Sequence, residues 1–124
     1  MKHKFTIIIA VIIFILSTIP LPEVPDLGDV PFIDKWVHFV MYGSLTFAMY
    51  LDRKLSKAEA NTTFILAAFF LPSLYGGILE LVQKYCTTCR SGEWLDFYAD
   101  TFGAFLATII SLLIWKIAKT LEQR

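Results

Sequence analysis

Four long apolar stretches, separated by charged or proline-rich segments, constrain this chain more than any other feature of its sequence. The stretches predict helices at approximately 5–21, 35–51, 56–83 and 95–117. About 20 apolar residues in a helix span the ~30 Å hydrocarbon core of a bilayer. Because 56% of the 124 residues are hydrophobic and 18% are charged, a soluble domain of this size has no room to bury them. The sequence therefore predicts one all-α domain over 1–124, an integral membrane bundle of four transmembrane helices.

The boundaries between these stretches carry turn and capping signals. Residues 20–31 contain four of the five prolines, which favour an extended loop because proline lacks an N–H and fixes φ. The pattern Ser56-x-x-Glu59 matches a capping box and predicts that the third helix begins at Ser56. Pro72 lies inside that helix, where it is expected to produce a kink and to free a backbone carbonyl that needs another partner.

The orientation follows from the distribution of positive charge. The first stretch has the length and basic start of a secretory signal, but no small-x-small cleavage site follows it, which favours an uncleaved helix. Cytoplasmic loops carry the excess of Lys and Arg. With the N-terminus inside, eight of these residues lie on the cytoplasmic side and three outside. Both termini are therefore predicted to be cytoplasmic, with Trp36 and Trp94 at the outer interface and Trp115 at the inner one.

Polar residues cluster toward the outer ends of the predicted helices, although lipid disfavours them there unless they face each other or water. Helix spacings of three or four residues place those of each helix on one face. The sequence predicts an outward-facing polar pocket between the second, third and fourth helices, formed by Asp34, Lys35, His38, Tyr42, Glu80, Gln83, Arg90, Asp96 and Asp100.

Each of these residues also has a structural explanation. Asp34 is placed to cap the second helix, and the macrodipole of the fourth helix favours carboxylates at its start whatever they do. Arg90 can pair with Glu80 or Asp100 and fix the loop between the third and fourth helices. A single histidine near a membrane interface is more often satisfied by its neighbours than used as a ligand. The pocket prediction depends on the convergence of polar residues from three helices.

The two cysteines form the pattern Cys86-x-x-Cys89 in a loop predicted to face outward. One helical turn brings the Cα atoms of such a pair within about 5–6 Å, so a structural disulfide ranks first, free thiols second and a metal site third. The net charge is zero, and no basic face indicates a nucleic-acid partner. The sequence requires no cofactor.

The polar residues form an ordered set of short motifs, namely Asp34-Lys35-x-x-His38-Phe39, Glu80-x-x-Gln83, Arg90 and Asp96-x-x-x-Asp100-x-x-Gly103. In order, spacing and placement on three helices, this set resembles the VanZ-like family over roughly residues 32–107. The family often has Asn where Asp100 stands. The aspartate adds an ionisable group here and favours an ion pair with Arg90.

The resemblance implies a multi-pass protein of the bacterial inner membrane and cell envelope. The founding member of the family is an accessory protein of glycopeptide antibiotic resistance and affects teicoplanin more than vancomycin. Many relatives have no resistance role. The resemblance itself supplies no biochemical mechanism.

Three functions remain open from the sequence. The first is an accessory protein that binds a surface amphiphile, either a lipid-linked envelope precursor or a lipoglycopeptide, with Arg90 and Lys35 at its anionic head group. The second is an enzyme that acts on a lipid-linked head group through His38 and the carboxylates, with Mg²⁺ or Mn²⁺ as an option, although no nucleophile is evident. The third is a structural or assembly protein. The lipid bilayer is the one partner that all three share, and an oligomer is compatible with each.

Overall fold

The computed structural model describes residues 2–18, 33–86 and 94–124. These residues contain four helices and no strand: α1 (Lys4–Thr18), α2 (Ile33–Leu55), α3 (Thr62–Cys86) and α4 (Trp94–Glu122). The predicted all-α class and the four helices are confirmed.

Successive helices run in opposite directions, and ion pairs join helices at both ends of the bundle. At one end, Lys54 Nζ at the end of α2 lies 3.0 Å from Glu122 Oε1 at the end of α4. At the other end, Lys35 Nζ in the first turn of α2 lies 2.7 Å from Asp96 Oδ1 in the first turn of α4. Helices α2 and α4 are therefore parallel neighbours, which separates the polar residues near 35 and 96 from those near 54 and 122.

The N-terminus of α1 is capped by a side chain from α2. The Asp52 carboxylate accepts hydrogen bonds from the Thr6 N–H at 2.8 Å, the Thr6 hydroxyl at 2.7 Å and the Phe5 N–H at 3.3 Å. The backbone N–H groups in the first turn of a helix have no helical partner, and the macrodipole also favours a negative charge there. Asp52 follows the predicted membrane span at 35–51. Burial raises the pKa of its carboxyl, but hydrogen bonds from Thr6 and Phe5 outweigh burial and hold that pKa below its ordinary value.

The bundle has a small interior with many polar side chains and a surface rich in large apolar ones. The buried apolar cluster contains Ile13, Tyr42, Leu45 and Leu79. Buried polar side chains include Ser17, Thr46, Ser73, Thr108 and Ser111. Exposed apolar side chains cover α4, among them Phe102, Phe105, Ile109, Ile110, Leu113 and Ile114. Such extensive apolar exposure is unusual for a water-soluble monomer, whereas membrane bundles pack small and polar residues between helices.

Within the described ranges, two helical segments, Thr62–Val82 and Trp94–Glu122, are long and apolar enough to cross a membrane. The shorter α1 is also apolar. Length and composition therefore indicate a membrane association for α3 and α4.

The predicted start of the third helix at Ser56 is wrong. Ser56 instead follows the last residue of α2, and Lys57 has a φ of 56°, in the left-handed region. The Lys57 N–H bonds to the Lys54 carbonyl and the Ala58 N–H to the Arg53 carbonyl, which is the paired pattern of a Schellman motif.

Helix α3 begins six residues later and has a different cap. The side-chain oxygen of Asn61 accepts from the Phe64 N–H at 2.9 Å, three residues ahead, as an N-cap residue does. The fourth helix extends to Glu122, beyond the predicted end at 117. The proline-rich loop and the predicted end of the first helix at 19–21 lie outside the described residues.

Pro72 lies within α3, and the carbonyl that it frees has a partner on α2. Proline has no N–H to bond to the carbonyl of Ala68 four residues earlier. The Thr46 hydroxyl donates to that oxygen at 2.9 Å, and Thr46 is fully buried. The predicted need for another partner is therefore met by a hydrogen bond between two helices.

Helices α2 and α4 approach each other closely beside Gly103. A Cβ atom at Gly103 would overlap the main-chain carbonyl oxygen of Phe39 and lie 3.2 Å from the Phe39 Cα. On the same interface, a Cβ at Gly43 would meet the Gly103 carbonyl oxygen at 3.4 Å, an ordinary contact. The absence of a side chain at Gly103 sets the spacing at which residues of α2 and α4 can interact.

Candidate functional site

His38 is the centre of a group of charged residues contributed by three helices. Its Nδ1 atom lies 3.0 Å from Asp100 Oδ1 and 3.8 Å from Glu80 Oε1, and its Nε2 atom lies 3.6 Å from Asp96 Oδ2. We refer to Lys35, His38, Glu80, Asp96 and Asp100 as the His38 cluster. The α2, α3 and α4 helices each contribute, so the cluster exists only when all three pack together.

The residue spacing along each helix explains why these side chains meet. Lys35 and His38 are three residues apart on α2, and Asp96 and Asp100 are four apart on α4, so each pair lies on one helix face. The close approach at Gly103 brings the two faces together. Lys35 Nζ then reaches Asp96 at 2.7 Å, while His38 reaches both aspartates.

Asp100 is the most deeply buried member of the cluster, with no solvent exposure. One oxygen, Oδ1, is bonded to His38, whereas Oδ2 has no hydrogen-bond partner among the residues that the structure describes. Gly76 on α3 makes room for this oxygen, because a Cβ there would lie 2.5 Å from Asp100 Oδ2. Glu80 lies one turn further along the same face of α3.

The imidazole orientation is also restricted by Tyr42, one turn deeper on α2. The two rings are nearly parallel, with an interplanar angle of 9° and centroids 6.3 Å apart. Tyr42 is 1% exposed and belongs to the buried apolar cluster. The His38 ring therefore has the Tyr42 ring on one side and the carboxylates of the cluster at its nitrogens.

Among the residues that the structure describes, the His38 cluster contains more carboxylates than cations. Three carboxylates face one ammonium group and one imidazole, and Lys35 is directly paired with Asp96. The side chains of His38 and Glu80 are 12% and 10% exposed, so solvent or a small ion has access to them. His38, Glu80 and Asp100 each offer one ligand atom, all within 4.8 Å of one another, which is a spacing that suits a metal ion.

An apolar groove of about 610 Å³ lies between α3 and α4 and reaches the His38 cluster. It extends along α3 from Phe70 to Tyr85, roughly 22 Å at 1.5 Å per residue. Its walls are almost entirely apolar, with Leu74, Ile78 and Phe97 among them. The polar groups in its lining include Glu80, which joins the groove to the cluster, and Lys84.

The structure brings together six of the nine residues predicted for the polar pocket: Lys35, His38, Tyr42, Glu80, Asp96 and Asp100. Asp34 and Gln83 are in helices, but their side chains lie outside the described residues, as does Arg90 entirely. The predicted pairing of Arg90 with Glu80 or Asp100 therefore stays a prediction. The predicted Cys86–Cys89 disulfide also stays a prediction, because Cys89 and the side chain of Cys86 lie outside the described residues.

Two contributors were not predicted as site residues. Gly76 is the first, and its lack of a side chain is what accommodates the Asp100 carboxylate. Lys84 lines the groove one turn after Glu80. The four-residue spacing from Glu80 is the sequence signal for Lys84, which also fits an ordinary solvated helix end.

In comparisons with known proteins, no family model, curated protein or solved structure matches the chain. The resemblance to the VanZ-like family rests on the motif residues alone and stays a prediction.

Proposed function

We propose that this chain is an integral membrane protein of the bacterial cell envelope that binds a membrane amphiphile. The apolar part of the ligand would lie in the groove between α3 and α4, and its polar head would meet Lys84 and the His38 cluster. The observation that carries the proposal is that Glu80 belongs to both the groove and the cluster. A lipid-linked envelope precursor has the matching chemistry, a long hydrocarbon chain joined to a phosphorylated head group.

The membrane placement is supported by the distribution of polar and apolar side chains. Apolar side chains cover the outside of α1 and α4, and polar side chains lie between the helices. We extend this placement to four crossings with both termini cytoplasmic, as the Lys and Arg distribution predicts. The His38 cluster then lies on the outer side of the inner membrane, where envelope precursors are used.

The groove has the properties of a site for a hydrocarbon chain rather than for a soluble metabolite. Ligand pockets of 300–1,000 Å³ are typical for small molecules, and about 610 Å³ falls within that range. The groove is elongated, and its two charged residues, Glu80 and Lys84, lie toward one end. Lys84 supplies a cation for a phosphate at the end where α3 reaches the predicted membrane surface.

A photoreactive polyprenyl phosphate tests this proposal directly. Wild-type protein in nanodiscs is expected to be labelled on α3 or α4, with labelling reduced at least tenfold by Leu74→Trp, which narrows the groove. Leu113→Trp is the matched control, since Leu113 is an exposed residue of α4 outside the groove lining. Equal labelling of both variants and the wild type would exclude the groove as the binding site.

The topology has a separate test. A reporter fused after Thr88 is expected to give an extracytoplasmic signal, and one fused after Arg124 a cytoplasmic signal. A cytoplasmic signal at Thr88 would overturn the orientation and with it the outward-facing site.

An enzyme acting on the lipid-linked head group is a second candidate, favoured by the pairing of His38 with Asp100. A histidine oriented by a buried carboxylate has the arrangement of a general base. Incubation with labelled polyprenyl pyrophosphate distinguishes the two functions. Release of phosphate that is lost in His38→Gln supports an enzyme, whereas binding without turnover supports an accessory protein. Full complementation of a deletion phenotype by His38→Ala, Glu80→Gln and Arg90→Ala would favour a structural or assembly role.

A further inference from the structure

We propose that His38 Nδ1, Glu80 and Asp100 form a binding site for a divalent transition-metal ion. This site goes beyond the binding of an amphiphile, and its test requires no lipid ligand.

The distances between the three ligand atoms support the site. Metal bonds of about 2.0–2.2 Å place neighbouring ligand atoms roughly 3–3.5 Å apart in tetrahedral or octahedral coordination. His38 Nδ1 lies 3.0 Å from Asp100 Oδ1 and 3.8 Å from Glu80 Oε1, and all three ligand atoms lie within 4.8 Å of one another, so side-chain movements of about 1–2 Å complete the geometry. The three residues come from three different helices, which lets the ion join the bundle at one point.

The second ring nitrogen of His38 faces a carboxylate, the kind of partner that a metal-bound histidine uses. Histidine ligands usually donate their other N–H to a carboxylate or carbonyl, which fixes the tautomer and the ring orientation. His38 Nε2 lies 3.6 Å from Asp96 Oδ2, an ion-pair distance slightly longer than a hydrogen bond, and Lys35 holds Asp96 at 2.7 Å. Asp96 is therefore a positioning residue, and Nδ1 is the nitrogen left to face Glu80 and Asp100.

The buried oxygen of Asp100 is an independent observation that points to a ligand. Asp100 is 0% exposed, and its Oδ2 atom lacks a hydrogen-bond partner in the part of the chain that the structure describes. A buried carboxylate oxygen without a partner is costly. An ion bound at the carboxylate offsets this cost, since two carboxylates and a neutral imidazole balance one divalent cation.

The mixture of ligands selects the class of metal. Imidazole favours zinc, iron and other transition metals, whereas carboxylates also accept manganese, magnesium and calcium. One nitrogen and two carboxylates suit Zn²⁺ or Mn²⁺ better than Mg²⁺ or Ca²⁺, which prefer all-oxygen sites. Three protein ligands also leave a coordination position open to water or to a phosphate oxygen.

Metal titration of chelator-treated protein in detergent is the test, with Zn²⁺, Mn²⁺ and Mg²⁺ as separate probes. We expect one equivalent of Zn²⁺ per chain and at least a hundredfold loss of affinity in Glu80→Gln. Glu59→Gln is the matched control, because Glu59 is an exposed carboxylate at the opposite end of the bundle. Asp96→Asn is expected to keep the stoichiometry and to weaken binding by about 10–100-fold.

A spectroscopic measurement on the wild-type protein keeps the proposal testable if a variant fails to fold. The chain has two histidines, His3 and His38. Pulsed electron paramagnetic resonance of bound Mn²⁺ is expected to show one imidazole nitrogen, which His3→Gln leaves unchanged. Less than a tenth of an equivalent of Zn²⁺ on the wild type, or bound Mn²⁺ without a nitrogen coupling, would overturn the site and leave the cluster as a network of ion pairs.

Discussion

The Thr46 hydroxyl donates a hydrogen bond to the Ala68 carbonyl, the oxygen that Pro72 leaves without its helical partner. The donor is on α2 and the acceptor on α3, so the hydrogen bond missing within α3 is replaced by one between two helices. The bond is 2.9 Å long and fully buried. It explains how α3 tolerates a proline near its middle.

Thr46→Val should destabilise the bundle by about 1–3 kcal/mol, because it leaves the Ala68 carbonyl buried without a donor at nearly constant volume. The measurement is unfolding in mixed micelles. In a Pro72→Ala background, the new N–H at position 72 donates the helical hydrogen bond to Ala68. There, Thr46→Val should lower the free energy of unfolding by clearly less than in the wild-type background. Equal costs in the two backgrounds would show that Thr46 acts only through packing.

Gly103→Ala should destabilise the contact between α2 and α4 by about 1–3 kcal/mol, since its Cβ would overlap the backbone of Phe39 and force the helices apart. Gly43→Ala is the control on the same interface, where a Cβ meets only ordinary contacts and alanine raises helix propensity. We expect Gly43→Ala to be neutral or stabilising by up to about 1 kcal/mol. A similar loss of stability in Gly103→Ala and Gly43→Ala would contradict the role assigned to Gly103.

Asp52→Asn should remove a pH-dependent part of the stability. The native pKa of Asp52 is lowered by hydrogen bonds from Thr6 and Phe5, despite burial, so its contribution is present above the ordinary aspartate pKa and is lost as the pH falls through the native value. The difference in Tm between wild type and Asp52→Asn should be largest near neutral pH and shrink below about pH 4. A difference that is constant with pH would be inconsistent with capping by the ionised carboxylate.

Lys57→Gly should stabilise the protein by about 0.5–1 kcal/mol, because Lys57 has the left-handed conformation that glycine adopts without a Cβ penalty. Lys54→Gly is the contrasting variant, since Lys54 is within α2 and glycine there lowers helix propensity. Thermal unfolding of both in the same detergent measures the two effects. Destabilisation by Lys57→Gly would argue against the Schellman motif at the end of α2.

The residues at the ends of α2 and α3 show where sequence reasoning succeeded and where it failed. Pro72 correctly predicted an unpaired carbonyl, because the loss of an N–H is a property of the residue itself. Ser56-x-x-Glu59 predicted a helix start, yet the same residues follow the end of the preceding helix. A capping box and a helix end both favour small polar residues, and the choice depends on backbone conformation, which the left-handed Lys57 decides.

The sequence by itself determined that the chain is helical, that apolar residues dominate it, and that the polar residues gather toward one end of three helices. These properties follow from local periodicity and composition, which need no knowledge of neighbours. Only the tertiary structure decided that His38 contacts Asp100, 62 positions away, and that the Thr46 hydroxyl donates to the Ala68 carbonyl. It also decided that Gly76 makes room for the Asp100 carboxylate. Such pairings depend on the spacing and rotation of packed helices, and helix periodicity fixes which face a residue occupies but not which face of another helix it meets.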